Sequence, residues 1–204
     1  MTQPADRLQR GPSNAERRLV LLHGWGADAD DLLELGPLLV GPEVSVVALR
    51  APEAHPYGPG RQWYGLQPID WGQLPAARHA LQQRLQELGQ SVPLPQTVLL
   101  GFSQGGAMAV DVGSSLPLAG IVACSGYPHE GWQPPAAMPP VLLSHGREDS
   151  VVPFGASEQL QRLLQGAGAE PQLLAFSGGH SIDGSVLTPI SAFIRERLSA
   201  APQG

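Results

Sequence analysis

Residues 99–106 read Leu-Leu-Gly-Phe-Ser-Gln-Gly-Gly, and the fold turns on this stretch. An apolar run ends in Gly101-Phe102-Ser103-Gln104-Gly105, a G-x-S-x-G pentapeptide. In that arrangement a buried strand stops in a tight turn and a helix starts at once, holding the serine hydroxyl clear of the sheet. Gly101 and Gly105 are needed because side chains at those positions collide as the turn closes. A serine hydroxyl is a weak nucleophile at neutral pH, so the pentapeptide carries chemistry only with a base and an orienting acid elsewhere in the chain.

On both sides of the pentapeptide, short continuous apolar runs alternate with amphipathic stretches. Strands are expected at Leu19–Leu22, Val44–Leu49, Thr97–Phe102, Leu118–Cys124, Pro140–Ser144 and Gln172–Phe176. Helices are expected from the acidic start at Asp28, Asp30 and Asp31 through Leu39, over Ala76–Leu88, from Gln104 to about Ser114, and around Glu158–Leu164. A last helix carries Val186, Leu187, Ile190, Phe193, Ile194 and Leu198 on one face. This alternation indicates an α/β fold, a mostly parallel sheet covered by helices on both faces, with no separate cap domain. Residues 1–17 read as a flexible polar lead-in and 18–200 as a single domain. Residues 51–75 break the rhythm, combining Pro52, Pro56 and Pro59 with Trp63, Tyr64, Leu66 and Trp71, and a long aromatic loop suggests function.

Bulk composition narrows the partners. Of 204 residues, 42% are hydrophobic and 15% charged, which argues for a compact globule rather than disorder. A net charge of −6 argues against nucleic acid and anionic membrane, both of which need a basic surface; a neutral or cationic small molecule suits it better. Cys124 is the lone cysteine, so no internal disulfide forms, and it reads as a small buried apolar residue. The opening residues lack the apolar core of a signal peptide, and no run is long enough for a membrane span. A soluble cytoplasmic monomer or homodimer, without stable membrane insertion, is the expectation.

Ligands of such sheets bind beyond the carboxyl ends of the strands. After Ser103, an acid is expected next in the chain and a histidine last. Residues 145–153, His-Gly-Arg-Glu-Asp-Ser-Val-Val-Pro, follow one strand; Asp149 is the better acid, with Glu148 the alternative, because it precedes Val152-Pro153 and the next helix. Residues 178–182, Gly-Gly-His-Ser-Ile, follow another strand and make His180 the base. Each piece has an ordinary reading: a chance pentapeptide, a helix cap, a solvated turn. Three independent strand ends delivering Ser, Asp and His in order carry the triad reading. A tetrahedral intermediate also needs donors for its oxyanion, expected from the backbone N–H of Gln104 and, in the turn His23-Gly24-Trp25-Gly26, of Trp25. His23 itself reads as structural. Trp63, Tyr64, Leu66 and Trp71 are expected to line or cover an apolar cleft, with core packing as the alternative.

His55, His79, His129 and His145 show no metal-ligand spacing, and one cysteine cannot build a zinc site. Gly24 and Gly26 lack the third glycine of a dinucleotide loop.

Through Leu22–Gly26, Gly101–Gly106, Ser125-Gly126-Tyr127, His145–Pro153 and Gly178–Ile182, the chain resembles the phospholipase/carboxylesterase family of α/β-hydrolases, which includes the acyl-protein thioesterases. The resemblance runs from about Leu19 to Leu198. It implies Ser103, Asp149 and His180 as triad, the Trp25 and Gln104 amides as oxyanion hole, and no cofactor. It also implies that Arg61–Leu66 contributes to the acyl pocket; Gly65 and Leu66 depart from the commoner acidic residue after the aromatic pair. A serine esterase for small to medium acyl esters follows. Alternatives are an acyl-protein thioesterase or lysophospholipase, a non-hydrolytic acyl transferase, and a non-catalytic ligand-binding module on the same scaffold.

Overall fold

A computed structural model describes residues 6–200. In chain order the elements are β1 (Arg7–Arg10), β2 (Arg18–Leu22), α1 (Leu35–Val40), β3 (Ser45–Leu49), β4 (Glu53–Ala54), β5 (Arg61–Gln62), α2 (Leu74–Leu88), β6 (Thr97–Phe102), α3 (Gln104–Gly113), β7 (Gly120–Cys124), β8 (Val141–Gly146), α4 (Gly155–Gly166), β9 (Gln172–Phe176) and α5 (Gly184–Ala200). Seven strands form one sheet in the order β1-β3-β2-β6-β7-β8-β9. Every neighbouring pair is parallel except β1 with β3. β4 and β5 make a small separate ladder.

The pleat of β2 explains why its run reads as continuously apolar. Val20 and Leu22 face one core with α2, α3 and α4, represented by Leu81, Leu85, Met108 and Leu160. Leu19 and Leu21 face the other with α1 and α5, represented by Leu39, Ile190 and Ile194. Both faces are dry, so no polar alternation survives in the strand. α3 runs through the middle, with all ten of its residues buried.

The lead-in and the first helix differ from expectation. Residues 1–5 lie outside the described residues, but Arg7–Arg10 is an edge strand, with Arg7 opposite Leu49 and Arg10 opposite Val46. Its order comes from backbone pairing to the outer edge of β3, which demands no apolar period. The helix expected from Asp28 is shorter. Residues 28–34 form successive tight turns, closed by Asp31 N–H to Asp28 O and Leu33 N–H to Asp30 O. The helix begins only at Leu35, which puts Pro37 in its first turn, where no N–H is needed.

Candidate active site

The strand-to-helix turn at Ser103 is sterically over-determined. A Cβ on Gly101 would overlap the Gly105 carbonyl and approach Gly106 N to 2.6 Å; a Cβ on Gly105 would overlap Leu22 O and approach His23 O to 2.6 Å. Ser103 adopts φ 54° and ψ −118°, a conformation uncommon for a non-glycine residue. Its own N–H donates to Cys124 O at 2.8 Å, which ties the turn to β7. The backbone strain is held by packing on both sides and points the hydroxyl out of the sheet.

The three residues expected from separate strand ends meet. Ser103 Oγ lies 2.9 Å from His180 Nε2, and His180 Nδ1 lies 2.7 Å from Asp149 Oδ2. A carboxylate only accepts, so Nδ1 carries the imidazole hydrogen and Nε2 is left to accept from the serine hydroxyl. Phe102 packs against the His180 ring, with centroids 4.8 Å apart. Asp149 is buried, and its Oδ1 accepts from the backbone N–H groups of Val151 (2.9 Å) and Val152 (2.8 Å). Burial alone would raise the Asp149 carboxyl, but the His180 hydrogen bond and these two amides outweigh it and hold it below its ordinary value. Glu148 is exposed on the same turn.

The turn after β2 is braced from several directions. His23 Nδ1–H donates to Gly24 O (2.8 Å) and Nε2 accepts from Ala51 N–H (3.1 Å), so the buried ring acts as a clamp; burial lowers its basicity. Trp63 Nε1–H donates to His23 O, Gly26 N–H to Arg61 O, and Trp25 Nε1–H to Gln62 Oε1. Among the described residues, neither the Trp25 nor the Gln104 backbone N–H is taken by a protein acceptor. Both amides thus remain available to an oxyanion. Beside them Trp25, His55 and Tyr57 form an edge-on aromatic cluster, with Trp25 and His55 centroids 4.3 Å apart.

The aromatic loop requires a correction. Trp63 and Tyr64 were expected at a cleft, but they are 1% and 0% exposed and belong to the core. Gln104 explains why: its side chain accepts from Trp63 N–H (3.0 Å) and donates to Tyr64 O (2.8 Å), drawing the loop onto the start of α3. Tyr64 Oη then meets Tyr127 Oη (2.8 Å) and His129 Nε2 (2.9 Å), and His129 Nδ1 meets Asp111 Oδ2 at 2.6 Å. Arg78 Nε lies 3.0 Å from the other Asp111 oxygen. Leu66 and Trp71 stay partly exposed over that core.

His145, read from the sequence only as a histidine without metal spacing, is wholly buried beside Asp149. The available signal was its i,i+4 offset from the acid at the end of a strand.

The sequence profile of the phospholipase/carboxylesterase family matches residues 5–198. An esterase of known structure, PE8, is 33% identical and superposes with a TM-score of 0.84, covering 94% of this chain and 97% of its own. A rice protein described as a probable carboxylesterase is 29% identical over 143 residues, 66% of this chain and 54% of its own length. Acyl-protein thioesterase 1 of Neurospora crassa is 32% identical over 123 residues, 55% of this chain and 50% of its own. The chain thus spans about half the length of these two curated relatives. No helix among the described residues is long and apolar enough to cross a membrane. A parallel sheet carrying a strained serine at the end of its central strand, together with a family match over nearly the whole sequence, places the chain in the phospholipase/carboxylesterase family of α/β-hydrolases.

Proposed function

We propose that the chain is a serine carboxylesterase that hydrolyses small to medium acyl esters through an acyl-enzyme. The observation that carries this reading is the unbroken hydrogen-bond chain from Ser103 Oγ through His180 to Asp149, at 2.9 and 2.7 Å. Ser103 attacks the ester carbonyl while His180 Nε2 takes its proton; Asp149 holds the ring with Nδ1–H inward and stabilises the imidazolium. The Trp25 and Gln104 amides receive the oxyanion, the latter at the positive end of α3. His180 returns the proton to the leaving alcohol, and water, activated by the same imidazole, releases the acid and regenerates Ser103. Leu66 and Trp71 offer apolar surface for the acyl group.

Purified protein assayed with a series of nitrophenyl esters of increasing acyl length, wild type beside Ser103→Ala, tests the reading. Activity is expected to vanish with the hydroxyl, and Ser103→Ala turning over at the wild-type rate refutes it. A thioesterase reading draws support from the relative named acyl-protein thioesterase 1. Acyl-thioester and lysophospholipid turnover measured beside the nitrophenyl series separates these substrates. Failure of a fluorophosphonate to label Ser103 would favour a non-catalytic binding module.

A further inference from the structure

The acid of the triad has a second imidazole behind it. His145, at the end of β8, has an Nε2 2.9 Å from Val152 O and 3.1 Å from Asp149 Oδ2, the same carboxylate oxygen that receives His180 Nδ1–H. Both neighbours of Nε2 are acceptors, so that nitrogen carries the hydrogen, aimed at the Val152 carbonyl with its positive end against the carboxylate. The other ring nitrogen, Nδ1, lies 2.6 Å from the hydroxyl of Ser157 on α4, which is itself fully buried. Among the described residues, the only other hydrogen-bond partner of that hydroxyl, Gly126 O at 3.4 Å, is long. Ser157 therefore donates to Nδ1 and sets the Nε2–H tautomer. His145 is 0% exposed, so bulk solvent does not compete for either contact.

We propose that His145, with its tautomer set by Ser157, is a positioning residue that fixes the Asp149 carboxylate for His180. The inference rests on the triad reading above. Asp149 sits on a loop rather than inside an element, and its Oδ1 is held by two amides of that loop. Those amides move with the loop, so they do not anchor it to the sheet. His145 does: it joins the Val152 carbonyl and the Asp149 carboxylate to β8 and, through Ser157, to α4. Without it, Oδ2 is held only by the imidazole it is meant to orient. With the opposite tautomer, a lone pair on Nε2 would face two oxygens and push the loop away. Among the described residues no hydrogen bond joins His145 or Ser157 to Ser103, so both act through Asp149.

The test uses His145→Leu, His145→Gln and Ser157→Ala in the full chain, with kcat and KM for a nitrophenyl ester measured where circular dichroism shows each variant folded. His145→Leu is expected to lower kcat about tenfold to a hundredfold with KM changed less than about twofold, the signature of lost alignment rather than lost binding. Gln places an amide N–H where Nε2–H stood, so His145→Gln is expected to recover most of that loss. Ser157→Ala is expected to fall between the two. Folded His145→Leu with wild-type kcat overturns the proposal, as does equal loss in Leu and Gln variants. Should His145→Leu fail to fold, wild-type kcat in Ser157→Ala overturns it instead. None of these outcomes alters what Ser103→Ala reports about the nucleophile.

Discussion

Gly105 and His23 meet backbone to backbone: the His23 carbonyl oxygen lies 2.6 Å from where a Cβ on Gly105 would stand, and the Leu22 carbonyl oxygen lies nearer still. Close backbone contact therefore sets the gap between the start of α3 and the turn that carries the Trp25 amide. Gly105→Ala must separate the two. Overpacking of this kind typically costs about 1–3 kcal/mol, and it widens the pair of oxyanion donors as well. A lower urea midpoint together with a lower kcat is expected; a variant with wild-type values of both contradicts the steric account.

Asp149→Asn tests how the carboxylate holds its two histidines. An amide at this position presents an N–H or a neutral oxygen to His180 Nδ1 and no longer stabilises the imidazolium. A kcat loss of about ten-thousandfold is expected, the scale seen when a triad acid is replaced in this way. Reaction of Ser103 with a fluorophosphonate should slow in parallel, and unchanged labelling would detach Asp149 from activation of the serine.

Tyr64→Phe removes the hydroxyl shared by Tyr127 and His129 and leaves both polar groups without that partner in a buried site. Destabilisation of about 1–3 kcal/mol is expected, read from urea unfolding. Because Tyr64 packs in the core, KM for short esters should hardly move. A large KM increase with unchanged stability would return Tyr64 to the substrate pocket.

Acid should weaken the fold in two stages. Burial lowers the basicity of His23 below its ordinary value of 6.5, so the unfolded chain takes up a proton before the folded one does. The stability this contributes is in place above pH 6.5 and is lost as pH falls below it through the folded value. Asp149 is likewise held below 3.8, so its contribution, present above that value, is lost at still lower pH. Urea midpoints should decline across both windows, and a midpoint that rises on acidification below pH 6.5 contradicts the assignment for His23.

Burial pushes the Cys124 thiol up to about 12, and the side chain is buried in the core on the α1 and α5 side of the sheet. The thiolate is the reactive form, so the native protein should not react with a disulfide reagent, whereas the urea-unfolded chain should react at one thiol per molecule. Rapid labelling of the folded protein would mean that β7 opens readily.

The local parts of this protein are legible in its sequence because their causes are local. Gly101 and Gly105 flank Ser103 within five residues, and unbroken runs such as Leu19–Leu22 reflect burial on both faces of a strand. The order of Ser103, Asp149 and His180 follows from strands whose carboxyl ends lie at one edge of a parallel sheet. Other features depend on pairs far apart in the chain. Gln104 draws Trp63 and Tyr64 inward across about forty positions, which aromatic composition alone does not distinguish from a cleft. β1 exists because the edge of β3 offers unpaired backbone, and side-chain pattern does not encode that. His145 gains its place behind Asp149 from Ser157 on another helix, since a buried histidine acquires a definite tautomer only from the donors and acceptors that folding brings to it.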